Sequence, residues 1–129
     1  MSIKSAKQLV AEANAEIETL SPEEAMKLMN SPNVVFVDVR ETHERRQAGS
    51  LKGAIHAPRG FLEFLADPSS PTHLKELSSG KKLVLYCASG NRSALAARTL
   101  ESMGIRNVAH VMGGLPALQK AGAPIEDSA

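Results

Sequence analysis

The sequence predicts an α/β domain: a mostly parallel central sheet flanked by helices on both faces. Two observations carry this. Residues 34–37, 83–86 and 108–112 are apolar or nearly so, and the first run is β-branched or aromatic throughout, which is how strands covered on both faces read. Segments with helical spacing and helix start and stop signals alternate with these runs, and that alternation builds a parallel sheet in a layered domain. A length of 129 residues suits one domain. The expected organisation is an N-terminal extension at 1–15, the domain at 16–126 and a tail at 127–129.

The elements follow in order. Residues 1–15 place Ala11, Ala13 and Ala15 among charges, as in a loose helix that packs on the domain or frays. Residues 16–20 alternate polar and apolar side chains, the pattern of a short edge strand. Ser21-Pro22-Glu23-Glu24 opens a helix, with Ser21 as the cap, Pro22 at the first helical position and Glu24 completing a capping box. Ala25, Leu28 and Met29 give it an apolar face, and Asn30-Ser31-Pro32 stops it. After the strand at 34–37, Thr42 is expected to cap a short helix through Gln47. Gly49 and Gly53 bracket a turn, residues 54–57 read as a short strand ended by Pro58, and Phe61-Leu62 with Phe64-Leu65 suggest a helical turn. Pro68 and Pro71 mark a surface loop, and residues 74–77 a further short helix. Residues 93–103 form the strongest helix, since Leu95, Ala96, Thr99, Leu100 and Met103 recur at helical spacing before Gly104. Gly113-Gly114 turns the third buried strand into a last helix through Ala121, with Gly122 as its C-cap.

Composition narrows the function. The formal net charge is +1, there is no Trp and only one Tyr, so neither nucleic acid nor an anionic membrane is an expected partner. The first residues lack the apolar centre of a secretory signal and no spanning run follows, which makes the cytosol the expected compartment. The single cysteine rules out an intrachain disulfide and any Cys-x-x-Cys site. His43, His56, His73 and His110 are not spaced for a metal, and no glycine-rich phosphate loop with Lys occurs. No metal and no cofactor is expected.

In a parallel sheet, ligand sites lie beyond the carboxyl ends of the strands. Asp38, Cys87 and Gly113 all fall at such ends. Cys87 also sits where a buried strand passes through a tight loop into a helix. The first N–H groups of a helix lack intrahelical partners, and the helix dipole adds positive potential there. A thiol in that position ionises more readily. Gly90 frees the loop backbone, and Arg92 adds a permanent cation. Ala88, Ser89, Gly90, Asn91 and Arg92 would thus form an anion cradle with a nucleophile at its base.

Cys87-Ala88-Ser89-Gly90-Asn91-Arg92-Ser93, followed by Ala96-Ala97 and Leu100, resembles the active-site loop of the rhodanese family. Val37-Asp38-Val39-Arg40-Glu41, Gly53-Ala54-Ile55-His56-Ala57-Pro58 and Gly113-Gly114 with its helix are similar to three further segments of that family, in the same order. Leu118 stands where the family commonly has Trp, a difference expected to alter packing and not chemistry. The resemblance implies a sulfurtransferase. Cys87 would take the outer sulfur of a small donor such as thiosulfate as a persulfide and pass it to a thiol or to cyanide. A protein is a possible sulfur acceptor, and a sulfur-relay or binding module with low turnover on small donors is the alternative. Protein tyrosine phosphatases resemble this arrangement but carry five residues between Cys and Arg. Four stand between Cys87 and Arg92, a loop suited to one sulfur atom and tight for a phosphate.

The resemblance also implies that Asp38 and Arg40, one or both, support the loop through ion pairs, against the alternative of ordinary surface charge. Arg92 is expected to brace the loop, with contact to substrate left open. Arg59 either reaches the pocket mouth or is a solvated turn residue. Ser89 and Asn91 could face the sulfur with their side chains, or matter only through their N–H groups. Tyr86 is expected in the core.

Overall fold

The structure, a computed structural model, describes residues 2–127; Met1 of the extension and Ser128 and Ala129 of the tail lie outside them. Strands β1 (Glu18–Leu20), β2 (Val34–Asp38), β4 (Ile55–His56), β5 (Lys82–Tyr86) and β6 (Val108–Val111) form one sheet in the order β1-β6-β5-β2-β4. Every pairing in it is parallel. The two remaining strands, β3 (Ser50–Leu51) and β7 (Ile125–Glu126), pair antiparallel as a separate ribbon.

Strand alternation divides the core. Leu83, Leu85 and Cys87 of β5 and its end, with Val37 and Val39 beside them, face α1 (Ala6–Glu16), α4 (Leu62–Ala66) and α5 (Asn91–Ser102). Val84, Tyr86 and Phe36 face the other way, against α2 (Pro22–Leu28) and α6 (Gly114–Lys120). Both faces are therefore filled, which explains the continuous apolar runs at 34–37 in β2 and 83–85 in β5. Leu118 is fully buried in the second layer, the packing role expected of it.

Local signals account for most boundaries. Ser21 accepts the Glu24 N–H at 3.1 Å, and Glu24 accepts the Ser21 N–H at 2.8 Å, so both arms of the capping box are made. Helix α3 (Thr42–Ala48) starts differently from expectation: Glu41 is its cap and Thr42 is already helical. The Glu41 N–H donates to Glu44 Oε1 at 2.9 Å, so the carboxylate reaches back from the first turn to the residue before the helix, and Thr42 is not the cap. Helix α5 begins at Asn91, two residues before the expected start, because Gly90 takes a left-handed conformation (φ 98°) and turns the chain straight into the helix. Residues 75–78 form a 3-10 turn and not an α-helix.

Helix α1 belongs to the packed structure. Ala13 and the following Ile17 lie in the same core as α5, and Arg98 of α5 ties to Glu12 and Glu16 at its surface. No helix among the described residues is long and apolar enough to cross a membrane.

Candidate active site

The carboxyl ends of β2, β5 and β6 meet at one pole of the sheet. There the Cys87 carbonyl accepts the Leu115 N–H at 2.9 Å, which fixes the loop against the start of α6. Gly114 makes this approach possible: it has φ 65°, and a Cβ on it would come within 2.6 Å of the Ala88 carbonyl carbon. Gly114 is thus explained by the backbone of the cysteine loop, and Gly113 by its own left-handed conformation (φ 79°) and the nearness of the Ala117 side chain.

Cys87 is fully buried and points to the α5 side of the sheet. The Gly90 N–H donates to its Sγ at 3.0 Å and the Ser93 N–H at 3.4 Å, and the thiol lies 3.5 Å from Ser93 Oγ. Burial pushes the Cys87 thiol up. The Ser93 hydroxyl and the N–H groups of Ser93, Ser89 and Gly90 outweigh it and bring the thiol below its ordinary range. The cradle expected from the strand–loop–helix pattern is therefore built from N–H groups and one hydroxyl. Ser89 and Asn91 are exposed, and they line a cleft of about 380 Å³ with Asn14, Thr19, His110 and Met112. A second cleft, about 230 Å³, lies across the loop between Ala88, Arg40, Glu44 and Leu115.

Arg92 does not point its charge at the sulfur. Its guanidinium clasps Glu44 of α3 with two bonds of 2.7 and 2.8 Å. It therefore braces the loop against α3, with its charge already matched. The same bonds, chiefly, hold the Glu44 carboxyl at about 2. A carboxylate lowered in the folded state adds stability above its unfolded pKa of about 4.3 and loses it as pH falls toward the folded value. Arg92→Ala is expected to cost about 1 kcal/mol at neutral pH, because the pair is partly exposed. The gap to wild type should close between about pH 4 and pH 2. Urea melts of both proteins across that range check it, and a gap independent of pH would speak against the pair.

Asp38 and Arg40 form a buried ion pair at 2.8 Å. Asp38 also accepts the Arg40 backbone N–H at 2.9 Å and the Tyr86 hydroxyl at 2.9 Å, and Arg45 Nε lies 3.4 Å away. Arg40 donates onward to the Gly49 carbonyl at 2.6 Å. Tyr86 is core, as expected, but its hydroxyl also accepts the Leu51 N–H at 3.0 Å. Burial, the first cause, and the Asp38 charge raise its pKa. Asp38 is paired in register with Tyr86, whose ring lies on the face opposite Cys87. The Asp38–Arg40 cluster thus binds β2, β5 and the α3–β3 turn, and the ion pair to the loop itself comes from Glu44. Arg59 is not brought to the loop. It bonds Glu63 and Thr99, each at 3.1 Å, and Thr99 lies about 12 Å along α5 from its first residue.

Four site residues were not singled out from the sequence for the parts they play: Glu44, Ser93, His110 and Asn14. His110 carried a signal, because a polar residue inside a buried strand must find partners. Asn14 and Glu44 carried none. No group of His, Cys, Asp and Glu among the described residues is arranged to hold a metal.

Comparison with known proteins agrees with the fold. A family model described as a rhodanese-like domain matches residues 21–121. A solved structure from Rhodopseudomonas palustris, described as a protein of unknown function and possible tyrosine phosphatase, is 43% identical with a TM-score of 0.92, covering 98% of each chain. A polysulfide-sulfur transferase from Wolinella succinogenes is 30% identical with a TM-score of 0.71, covering 95% of this chain and 88% of its own. A tRNA uridine(34) hydroxylase from Hamiltonella defensa is 38% identical over 97 residues, which are 74% of this chain and 26% of that protein. The chain spans about half or less of the curated relatives it matches.

Proposed function

The chain belongs to the rhodanese-like family, and we propose that it is a sulfurtransferase working through a persulfide on Cys87. The carrying observation is the thiol itself, buried beneath N–H groups of Ser89, Gly90 and Ser93 and lowered below its ordinary range. The thiolate attacks the outer sulfur of a donor such as thiosulfate. The S–S bond breaks, sulfite leaves with the electron pair, and Cys87 carries the sulfur as a persulfide anion. The loop N–H groups stabilise the charge on that sulfur as they do the thiolate. A thiol or cyanide then attacks the terminal sulfur and restores the thiolate. With a single cysteine in the chain, the persulfide has no internal thiol to resolve it.

The test is an intact mass after incubation with thiosulfate. One added sulfur atom, removed by cyanide as thiocyanate, is the expected result. An unchanged mass with thiosulfate and with polysulfide would refute the proposal. Release of phenol from an aryl phosphate, lost in Cys87→Ser, would favour a phosphatase instead; the four residues between Cys87 and Arg92 argue against that reading.

A relay module is the second reading. The thiol has no exposed surface, which suits delivery by a docked partner and slow turnover of free donors. A Bacillus subtilis relative bears the name putative sulfur carrier. Sulfur uptake from a persulfidated protein much faster than from thiosulfate would select this reading.

A further inference from the structure

The buried polar chain beyond Cys87 does not end at Ser93. Ser93 Oγ lies 2.9 Å from His110 Nδ1, on the middle of β6. On the far side of the ring, Nε2 lies 2.8 Å from Asn14 Oδ1 of helix α1 and 3.2 Å from Thr19 Oγ1 of β1. Thr19 also donates to Asn14 Oδ1 at 3.4 Å. An amide oxygen only accepts, so Nε2 carries the proton and Nδ1 is left as an acceptor toward Ser93. His110 is 2% exposed, and burial lowers its pKa, which favours the neutral ring in the resting site.

We propose that His110 takes the thiol proton of Cys87 by way of the Ser93 hydroxyl, with Asn14 of the N-terminal helix holding the ring for that transfer. The inference rests on Cys87 being the nucleophile. The Cys87 S–H bond breaks as its proton passes to Ser93 Oγ, and the proton already on Ser93 passes to His110 Nδ1. The electron pair stays on sulfur. The products are a thiolate and an imidazolium, and the total charge is unchanged. Ser93 ends as a hydroxyl donating to the thiolate, with His110 Nδ1–H donating to Ser93. His110 acts through Ser93 and is therefore a positioning residue.

The surroundings favour a transfer confined to this pair. The ring meets Asn14 from α1, Thr19 from β1 and Ser93 from α5, and none of these is charged. From β5, Leu85 stands beside it in register, and Cys87 is reached through Ser93. The charged residues on the same elements have other partners: Glu18 with Lys82, Glu12 and Glu16 with Arg98, Glu12 also with Lys4, and Arg92 with Glu44. Lys7 and Glu101 of α1 and α5 make no bond to the ring. Asn14 and Thr19 both precede residue 21, where the family match begins. The segment ahead of the matched region thus completes the wiring of the thiol.

The test reads thiol ionisation and not sulfur transfer. The rate of Cys87 alkylation by iodoacetamide is followed against pH. His110→Gln and Ser93→Ala are each expected to raise the midpoint by about one pH unit or more. The double variant should rise no further than the larger single effect, and Ser93→Thr should return the profile toward wild type. A His110→Gln profile that coincides with wild type overturns the proposal. A second measurement leaves the histidine in place. Imidazole ¹⁵N shifts are titrated in wild type and in Cys87→Ala. With no thiolate to share the proton, His110 should titrate about one pH unit or more lower in the variant. Identical titrations overturn the proposal. Alkylation profiles that shift while thiosulfate adds no sulfur would refute the sulfurtransferase reading alone.

Discussion

Replacing Cys87 with Ser is expected to abolish sulfur uptake and to lower turnover at least about 1000-fold, with the fold intact. A hydroxyl at this position stays protonated at neutral pH and cannot hold a transferable sulfur. Nothing else in the chain can substitute, since Cys87 is its only cysteine. The fold should hardly notice. The Gly90 and Ser93 N–H groups that point at Sγ find an oxygen acceptor, and a satisfied buried hydroxyl costs about 1 kcal/mol or less. Thiocyanate production and intact mass report the chemistry, and a thermal melt reports the fold. Wild-type turnover in the Ser variant would remove Cys87 from the mechanism.

Asp38→Ala is expected to destabilise the domain by about 3–5 kcal/mol, a large share of the 5–15 kcal/mol typical of small domains. The loss follows from what the carboxylate holds. Arg40, 2% exposed, would remain as a buried cation, with the Gly49 carbonyl as the one hydrogen-bond partner left to its side chain and the Tyr86 ring 5.8 Å away. The Tyr86 hydroxyl would lose its acceptor and the nearby Arg45 its counter-charge. Removing both members, as Asp38→Ala with Arg40→Leu, should recover part of the stability, because no unmatched charge is left buried. Urea unfolding measures both. An Asp38→Ala protein as stable as wild type would mean that the cluster contributes nothing. The damage should reach the site through the backbone, because Asp38 lies on the opposite face of the sheet from Cys87.

Much of this was legible before any coordinates. The unbroken apolar runs at β2 and β5 announced strands covered on both faces, and the Ser21 box, with both reciprocal bonds formed, marked a helix start that needs no tertiary help. The thiol's place at a strand end, before a glycine and a helix, was equally local. What could not be seen depends on distant partners. Strand β7 is two residues long and exists through its pairing with β3, some 75 residues earlier. Arg92 had a predictable task and an unpredictable partner, because Glu44 reaches it only after α3 has docked. His110 was visible as a polar residue in a buried strand, but its ties to Ser93 and Asn14 cross 17 and 96 residues of sequence. Thr42 misled because a hydroxyl at a helix start normally caps, whereas here Glu44 bonds back to the Glu41 N–H.

The complete burial of the only thiol gives the molecule a gauge of its own opening. In the unfolded chain the cysteine would meet each reagent at that reagent's own intrinsic rate, which sets the reference for it. In the native domain a bulky aromatic disulfide must wait until the loop parts from the Gly113-Gly114 backbone, while a small alkylating agent needs far less room. The ratio of the two labelling rates, each divided by its rate in the unfolded chain, therefore measures how often the loop opens, residue by residue of substitution around it. The same ratio, followed through a denaturant series, separates loosening of the loop from loss of the whole fold using the native thiol alone.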